Sequence, residues 1–188
     1  MKSFRRHAAS VNAGSMADIA FLLLIFFLVT TTISADKGIL RQLPALCETR
    51  DCVAHIPERN LLRIAINQKQ EIMINEDVVK IDEIKNLVEK FIDNNGVDTC
   101  DYCKGEQLST LSDHPKKAVI SLSHDALTKY ELFIKVQDEI TNAYYNLRTN
   151  FAKQTFNKSP SGLTKEELKI VMKSYPFKVS EIAVKRSN

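Results

Sequence analysis

The hydrophobic pattern divides the chain into an apolar segment near its start and a longer mixed segment after it. From Ala8 to Ala35 the chain runs for 28 residues with Asp18 as its only formal charge, and the most apolar block, Ile19 to Val29, follows that aspartate directly. A helix of this length is about 42 Å long, enough for the hydrocarbon core and headgroup regions of a bilayer. We therefore predict a transmembrane helix over residues 15–34.

The mixed segment alternates short strands with amphipathic helices. Apolar residues alternate on both sides of the polar turn 68–70, which predicts a β-hairpin. Apolar stripes predict a helix near 84–92, with Asp82 as its cap, and a long helix from about Thr128 to Phe156. The run 117–123 predicts a buried strand, Thr164 and Glu167 form a capping box for a short last helix, and 177–185 predicts a final strand.

The resulting order, β-β-α-β-α-α-β, predicts the α+β class. We expect a single N-terminal transmembrane helix followed by a small α+β domain, in which a strand hairpin belongs to a mixed sheet with helices on one face. About 150 residues follow the apolar segment, enough for one domain with its own core.

The charges that flank the apolar segment predict its orientation. The first seven residues carry three cations and no acid, whereas residues 36–41 are nearly balanced. The positive-inside bias then places the amino terminus in the cytoplasm. We expect a cytoplasmic N-terminus at 1–14, the inner-membrane helix at 15–34, a periplasmic linker at 35–60 and a periplasmic domain at 61–188. The terminal cations Lys2, Arg5 and Arg6 are expected to meet lipid headgroups.

Asp18 is the residue of the apolar segment that requires an explanation. A carboxylate near the bilayer centre costs about 2.5–3.5 kcal/mol even on lenient insertion scales. A cleaved signal peptide is one alternative, but an acid at the head of its apolar region is unusual and the run is long. A passive anchor is another, but the short aspartate side chain snorkels poorly. The functional interpretation is that Asp18 faces a partner helix or a water path and gains and loses a proton.

The helical stripe that contains Asp18 has no second ionisable group. Its other members are Leu22, Ile25, Val29 and Thr32, at spacings of four, three, four and three residues. We expect this stripe to form the transmembrane interface with a partner, which must supply the groups that interact with the carboxyl.

The run "SMADIAFLLLIFFLVTTTI", followed by "DKGILRQLP", resembles the ExbD/TolR family of biopolymer-transport proteins, most of all ExbD-like members of the Bacteroidetes type. The resemblance implies that Asp18 occupies the position of the family's essential aspartate. It also implies a proton-driven inner-membrane motor, in which a dimer of ExbD-like chains lies inside a ring of multi-span ExbB-like subunits. The resemblance further implies that a TonB-like protein delivers the work to outer-membrane transporters.

The segment after the helix reads as an extended tether. Gly38 is flexible, and Pro44 forces Leu43 towards extended backbone. Family segments of this kind, which here include Asp36, are thought to gate the pore mouth or to offer a strand edge to the TonB-like partner. A plain spacer is the alternative.

The remaining candidate chemistry is sparse. Cys47, Cys52, Cys100 and Cys103 lie on the side predicted to be oxidising, so local disulfides are expected, with three pairings open. A zinc site is disfavoured because C-x4-C is a poor half of a ligand set. The four histidines are scattered, and no catalytic motif or cofactor motif is present, so we expect no enzyme, no metal and no cofactor. A net charge of +3 is too small and too evenly spread to indicate nucleic acid.

Two further functions remain open beside the ExbD-type motor subunit. One is a TolR-type subunit of the Tol-Pal envelope system, which the sequence does not separate from it. The other is a passive, membrane-tethered periplasmic binding module. A flagellar stator subunit is disfavoured because the chain hardly accommodates the large peptidoglycan-binding domain of such proteins.

Overall fold

A computed structural model describes residues 13–30 and 56–184, in two compact units that divide after Leu40. In the first unit, helix α1 spans Ala13–Thr30 and is long and apolar enough to cross a membrane. Its 18 residues give a length of about 27 Å, close to the thickness of a hydrocarbon core. Residues 31–34 of the predicted span lie outside the described residues.

The second unit, which we call the soluble unit, contains a five-stranded mixed sheet and three α-helices among its described residues. The described elements are β1 (Leu61–Ile66), β2 (Ile72–Ile74), β3 (Asp77–Val79), α2 (Ile81–Ile92), β4 (Val119–Asp125), α3 (Tyr130–Phe156), α4 (Lys165–Ser174) and β5 (Val179–Val184), with short 3-10 helices at Glu58–Asn60 and Pro160–Gly162. The strand order is β3-β2-β1-β4-β5. The predicted α+β class with a mixed sheet is confirmed.

Strand pairing confirms the predicted hairpin and adds one strand to it. Strands β1 and β2 are antiparallel, with Ile64 opposite Ile74, and β4 and β5 continue the sheet in parallel with β1. The predicted order omitted β3, which pairs antiparallel with β2 through a tight turn at Asn75 and Glu76. Both turn residues have positive φ, which lets the chain reverse direction within two residues. Strand β3, which follows, has only three residues and is too short to show a clear alternation of apolar and polar positions.

The helices cover one face of the sheet, as predicted. The alternate strand residues Leu62, Ile64, Ile120 and Leu122 point to this face and are 0–3 % exposed. They pack against the predicted helix stripes, whose buried members are Ile84, Val88, Phe91 and Ile92 on α2 and Val136, Ile140, Tyr144, Leu147 and Phe151 on α3. The 3.6-residue and two-residue periods therefore predicted most of this core, although Leu87 of the predicted α2 stripe is 36 % exposed.

The opposite face of the sheet carries a row of mostly small or apolar side chains. The strand registers align Val78, Met73, Ala65, Ser123 and Ile182 across all five strands. The two ends of the row, Val78 and Ile182, are 65 % and 52 % exposed. Among the described residues, the helices lie on the other side.

The helix ends agree with one capping prediction and contradict another. Thr164 caps α4 and forms the predicted capping box with Glu167. The prediction that Asp82 caps α2 is wrong, because α2 begins at Ile81 and Asp82 lies within its first turn. The helix starts earlier because Ile81 packs against the core, and the backbone N–H of Lys80 donates to the Glu83 carboxylate.

A long irregular segment joins α2 to β4 and is held by buried amide side chains. Asn94 donates to the carbonyls of Leu108 and Ser112 at 2.8 and 2.9 Å and accepts from the Leu108 N–H. Asn95 accepts from the N–H of Thr99 and of Cys100. Amide groups that satisfy backbone partners in this way can order a long loop without regular structure.

Candidate functional site

The transmembrane helix places one carboxyl group within an apolar surface. Asp18 is the sixth residue of α1, about 7.5 Å along the axis from Ala13 and about 18 Å from Thr30. No other residue between Ala13 and Thr30 is ionisable. Within the part of the chain that the structure describes, the Asp18 carboxylate has no ion-pair partner. An unpaired carboxylate within an apolar surface is energetically costly in a bilayer.

The predicted interface stripe lies on the same side of α1 as Asp18. Leu22, Ile25 and Val29 follow at helical spacing, and they are 59 %, 41 % and 66 % exposed. The fourth predicted member, Thr32, lies outside the described residues. Every side chain of α1 is exposed in the single chain, so the whole helix surface is available to lipid or to protein partners.

The end of α1 satisfies one of its own polar groups. The Thr30 hydroxyl donates to the carbonyl of Phe26 at 2.8 Å. A threonine near a bilayer surface thereby hides its hydroxyl against the backbone one turn back.

The other predicted site residues are only partly within the described chain. The linker residues Asp36, Gly38, Leu43 and Pro44 lie outside it, as do Cys47 and Cys52. Cys100 and Cys103 form a disulfide with a Cα–Cα distance of 5.5 Å. It closes a short turn within the segment that joins α2 to β4.

The turn between these cysteines positions a tyrosine that sequence reasoning did not select. Tyr102 donates its hydroxyl to the Ser174 carbonyl at 2.9 Å, which ties the turn to the end of α4. Its ring lies edge-to-face with Phe151 and Tyr175, at centroid distances of 5.0 and 5.4 Å. In the sequence, the one feature that could have drawn attention to Tyr102 is its position between the two cysteines of the C-x-x-C motif.

An aspartate beside these rings was also missed. The Tyr175 hydroxyl donates to Asp93 Oδ1 at 2.6 Å, across 82 residues of sequence. The backbone N–H of Lys104 donates to Asp93 Oδ2 at 3.0 Å. Burial raises the pKa of Asp93 although both hydrogen bonds oppose the shift. Burial and the neighbouring Asp93 carboxyl also raise the pKa of Tyr175.

The described residues contain no group of three or more His, Cys, Asp or Glu side chains arranged to hold a metal ion.

Comparison with known proteins identifies the family. The family model described as biopolymer transport protein ExbD/TolR matches residues 5–152, which is well over half of the chain. No curated protein gives a significant match. Proteins of the matched family are non-enzymatic accessory subunits of biopolymer transport that work in membrane complexes, and the apolar helix α1 agrees with a single membrane pass. On this match, which includes α1 and most of the mixed segment, the chain belongs to the ExbD/TolR family of biopolymer transport proteins.

Proposed function

We propose that this chain is the ExbD-type subunit of an inner-membrane motor driven by the proton-motive force, and that Asp18 carries the proton. The observation that supports this most directly is a single carboxyl group in an otherwise apolar helix of a chain that belongs to a transport-energising family. Helix α1 contains no ionisable side chain other than Asp18.

The energies involved are compatible with this role. Keeping a carboxylate charged inside a bilayer costs about 2.5–3.5 kcal/mol, and a membrane potential supplies about 2.3 kcal/mol per elementary charge per 100 mV. Because the two quantities are similar, a gradient of ordinary size can favour protonation on one side and release on the other. The carboxyl must then be shielded from lipid by partner helices in both states.

We further propose the topology that the flanking charges indicate. Residues 1–14 are cytoplasmic, 15–34 span the inner membrane, 35–60 form the periplasmic linker and 61–188 form the periplasmic domain. The partners are a multi-span ExbB-like ring around a dimer of this chain, and a TonB-like protein that engages the linker at Asp36, Gly38, Leu43 and Pro44. The stripe of Leu22, Ile25, Val29 and Thr32 faces the ring.

The test of the proton-carrying role replaces one carboxyl group by its neutral isostere. We expect Asp18→Asn to assemble with the ring subunit in proteoliposomes but to lose proton conductance, measured with an internal pH dye. Asp138→Asn is the matched control, because Asp138 is an exposed aspartate of α3 in the soluble unit. The control variant should conduct as the wild type does.

Full conductance of the Asp18→Asn complex would show that Asp18 does not carry the proton. If the chain is only a passive tether, cells that carry Asp18→Asn should grow as the wild type does. In cells that lack the chain, loss of energised outer-membrane uptake with normal constriction supports the ExbD role. Defective constriction with normal uptake would instead assign the chain to the TolR type.

A second test examines the interface stripe with two adjacent leucines. Leu22 lies about 40° around the helix from Asp18, whereas Leu23 lies about 140° away. Leu22→Ala should therefore reduce co-purification of the ring subunit more than Leu23→Ala, although both changes remove the same atoms. Equal effects of the two variants would place the interface elsewhere.

A further inference from the structure

The soluble unit contains a small cavity whose wall combines aromatic rings with one carboxyl group. It lies between the segment after α2, helix α3 and the residue that follows α4, and its volume is about 270 Å³. Tyr102, Phe151 and Tyr175 supply the rings, and Asp93 supplies the carboxyl group. Neither the resemblance nor the family match assigns a function to it.

The aromatic wall is fixed by contacts on several sides. The three rings pack edge-to-face in every pairing, with centroid distances of 5.0, 5.4 and 6.0 Å. Tyr102 is held by the Ser174 carbonyl, and the Cys100–Cys103 disulfide closes the turn that carries it. A wall fixed in this way needs little reordering when a ligand binds.

Asp93 keeps capacity for a further donor. An ionised carboxylate offers about four acceptor positions, and among the described residues its hydrogen bonds come from the Tyr175 hydroxyl and the Lys104 N–H. Burial raises its pKa, so its charge is poorly solvated where it lies. A cation placed beside it would offset that cost.

The cations around the cavity do not neutralise this carboxylate directly. Lys104 lies on the lining but is exposed, and its hydrogen bond to Asp93 is made by its backbone N–H. Its positive charge acts on the carboxyl through space and lowers the Asp93 pKa, but this effect is smaller than that of burial, which raises it. The Arg148 guanidinium donates to the Tyr175 carbonyl at 2.9 and 2.7 Å. Among the described residues, no lysine or arginine forms a salt bridge with Asp93.

We propose that this cavity binds an organic cation, either an alkylammonium or a guanidinium group. Aromatic rings attract a cation within about 6 Å of their centroids, most strongly where water is excluded, and the carboxylate adds a charged acceptor. The volume of 270 Å³ is below the range of about 300–1,000 Å³ typical of drug-sized ligands. It therefore suits a small amine or the end of one lysine or arginine side chain.

The cavity depends on a part of the chain beyond the family match. Tyr175 lies after residue 152, where the match ends, and it supplies both a ring and the hydroxyl bound to Asp93. We therefore expect the site to be a property of this chain and its near relatives. The proposal does not depend on the proton chemistry of Asp18.

The experiment uses the five tyrosines of the full chain as reporters. With ring-labelled tyrosine in detergent micelles, we expect agmatine or a short peptide with one arginine to shift the NMR signals of Tyr102 and Tyr175. The exposed Tyr130 and Tyr145 should not shift. The same peptide with citrulline, a neutral isostere of arginine, is the matched control and should bind at least tenfold more weakly.

Comparison of the two ligands identifies the source of the cation. Similar affinity for agmatine and the arginine peptide supports a free amine, and tenfold tighter binding of the peptide supports a side chain of a partner protein. Equal shifts with the citrulline peptide, no shift of Tyr102 and Tyr175 at 10 mM agmatine, or tighter binding of inorganic phosphate would each overturn the proposal.

Three variants test whether the charge of the Asp93 carboxylate contributes to binding of the cation. Asp93→Asn should weaken agmatine binding about tenfold or more, with the buried Tyr144 signal as the check that the domain is folded. Lys104→Ala removes an exposed like charge and keeps the backbone N–H, so it should strengthen binding by about two- to threefold. Lys169→Ala, an exposed lysine of α4 outside the lining, should change nothing. Weaker binding by Lys104→Ala would contradict the assigned sign of the ligand charge.

Discussion

Gly105 lies where the segment after α2 passes closest to the end of that helix. A Cβ atom added there would lie 2.4 Å from Asn94 Cα and 2.4 Å from the Asp93 carbonyl oxygen. Ordinary contact begins near 3.4 Å, so the two backbone segments would have to separate by about 1 Å in a close-packed region. Gly105→Ala should therefore destabilise the domain through a steric clash with backbone atoms that cannot rotate away.

The expected loss of unfolding free energy in Gly105→Ala has two contributions. Overpacking of a well-packed site costs about 1–3 kcal/mol. The Gly105 N–H also donates to the Asp93 carbonyl at 3.0 Å, and separation of the segments loses this bond, worth about 0.5–1.5 kcal/mol. We expect the free energy of unfolding to fall by about 2–4 kcal/mol, which lowers the urea midpoint by about 1–2 M.

The assay is urea unfolding of the full chain in a mild detergent, followed by tyrosine fluorescence. Gly162→Ala is the matched control, because its Cβ would meet only the Ser159 hydroxyl oxygen at 3.9 Å. Neither glycine has positive φ, so the control should be neutral or stabilising by about 0.4–1 kcal/mol through the unfolded chain. Equal midpoints for Gly105→Ala and Gly162→Ala would refute the steric reasoning.

Three further predictions concern the soluble unit. Replacing Cys100 and Cys103 together by Ser should lower the unfolding free energy by about 2 kcal/mol, from chain entropy, and reductant should destabilise the wild type by about that amount more than it destabilises the variant. The folded-state pKa of Asp93 lies above its ordinary 3.8, so the folded state binds this proton more tightly than the unfolded state does. The free energy of unfolding should therefore rise as pH falls from neutral towards 3.8. Asp93→Asn should remove this contribution to the slope of unfolding free energy against pH, and an unchanged slope in the variant would contradict the prediction. Thr164→Ala should cost about 1 kcal/mol through loss of the helix cap, whereas Thr155→Ala, an exposed threonine near the end of α3, should cost clearly less in the same urea assay.

Local features of the fold were predictable because each depends on neighbours in sequence. The Thr164–Glu167 box spans one helical turn, and the long stripe on α3 needs only the 3.6-residue period. The errors were also local. Asp82 was selected as a cap by residue type, whereas the packing of Ile81 against the core sets the start of α2. Strand β3 has only three residues, too few for a period to appear.

The candidate site divides in the same way. Asp18 and its stripe could be predicted as a candidate site because a charge in an apolar run is visible without any tertiary contact. The cavity was not found because Asp93 and Tyr175 are 82 residues apart and neither residue type is unusual in a soluble domain. Their meeting depends on α3 and α4 bringing the chain back across the sheet.

The sequence by itself determined the transmembrane segment, the position of its carboxyl group, the family resemblance and most of the helices and strands. These follow from length, composition and short periods, which are properties of contiguous residues. Tertiary structure decided the strand order β3-β2-β1-β4-β5, the pairing of Cys100 with Cys103 among the alternatives, and the aromatic cavity beside Asp93. Strand order and the cavity depend on contacts between distant residues, and the choice among cysteine pairings depends on which sulfur atoms the fold brings together, so spacing alone could not fix them.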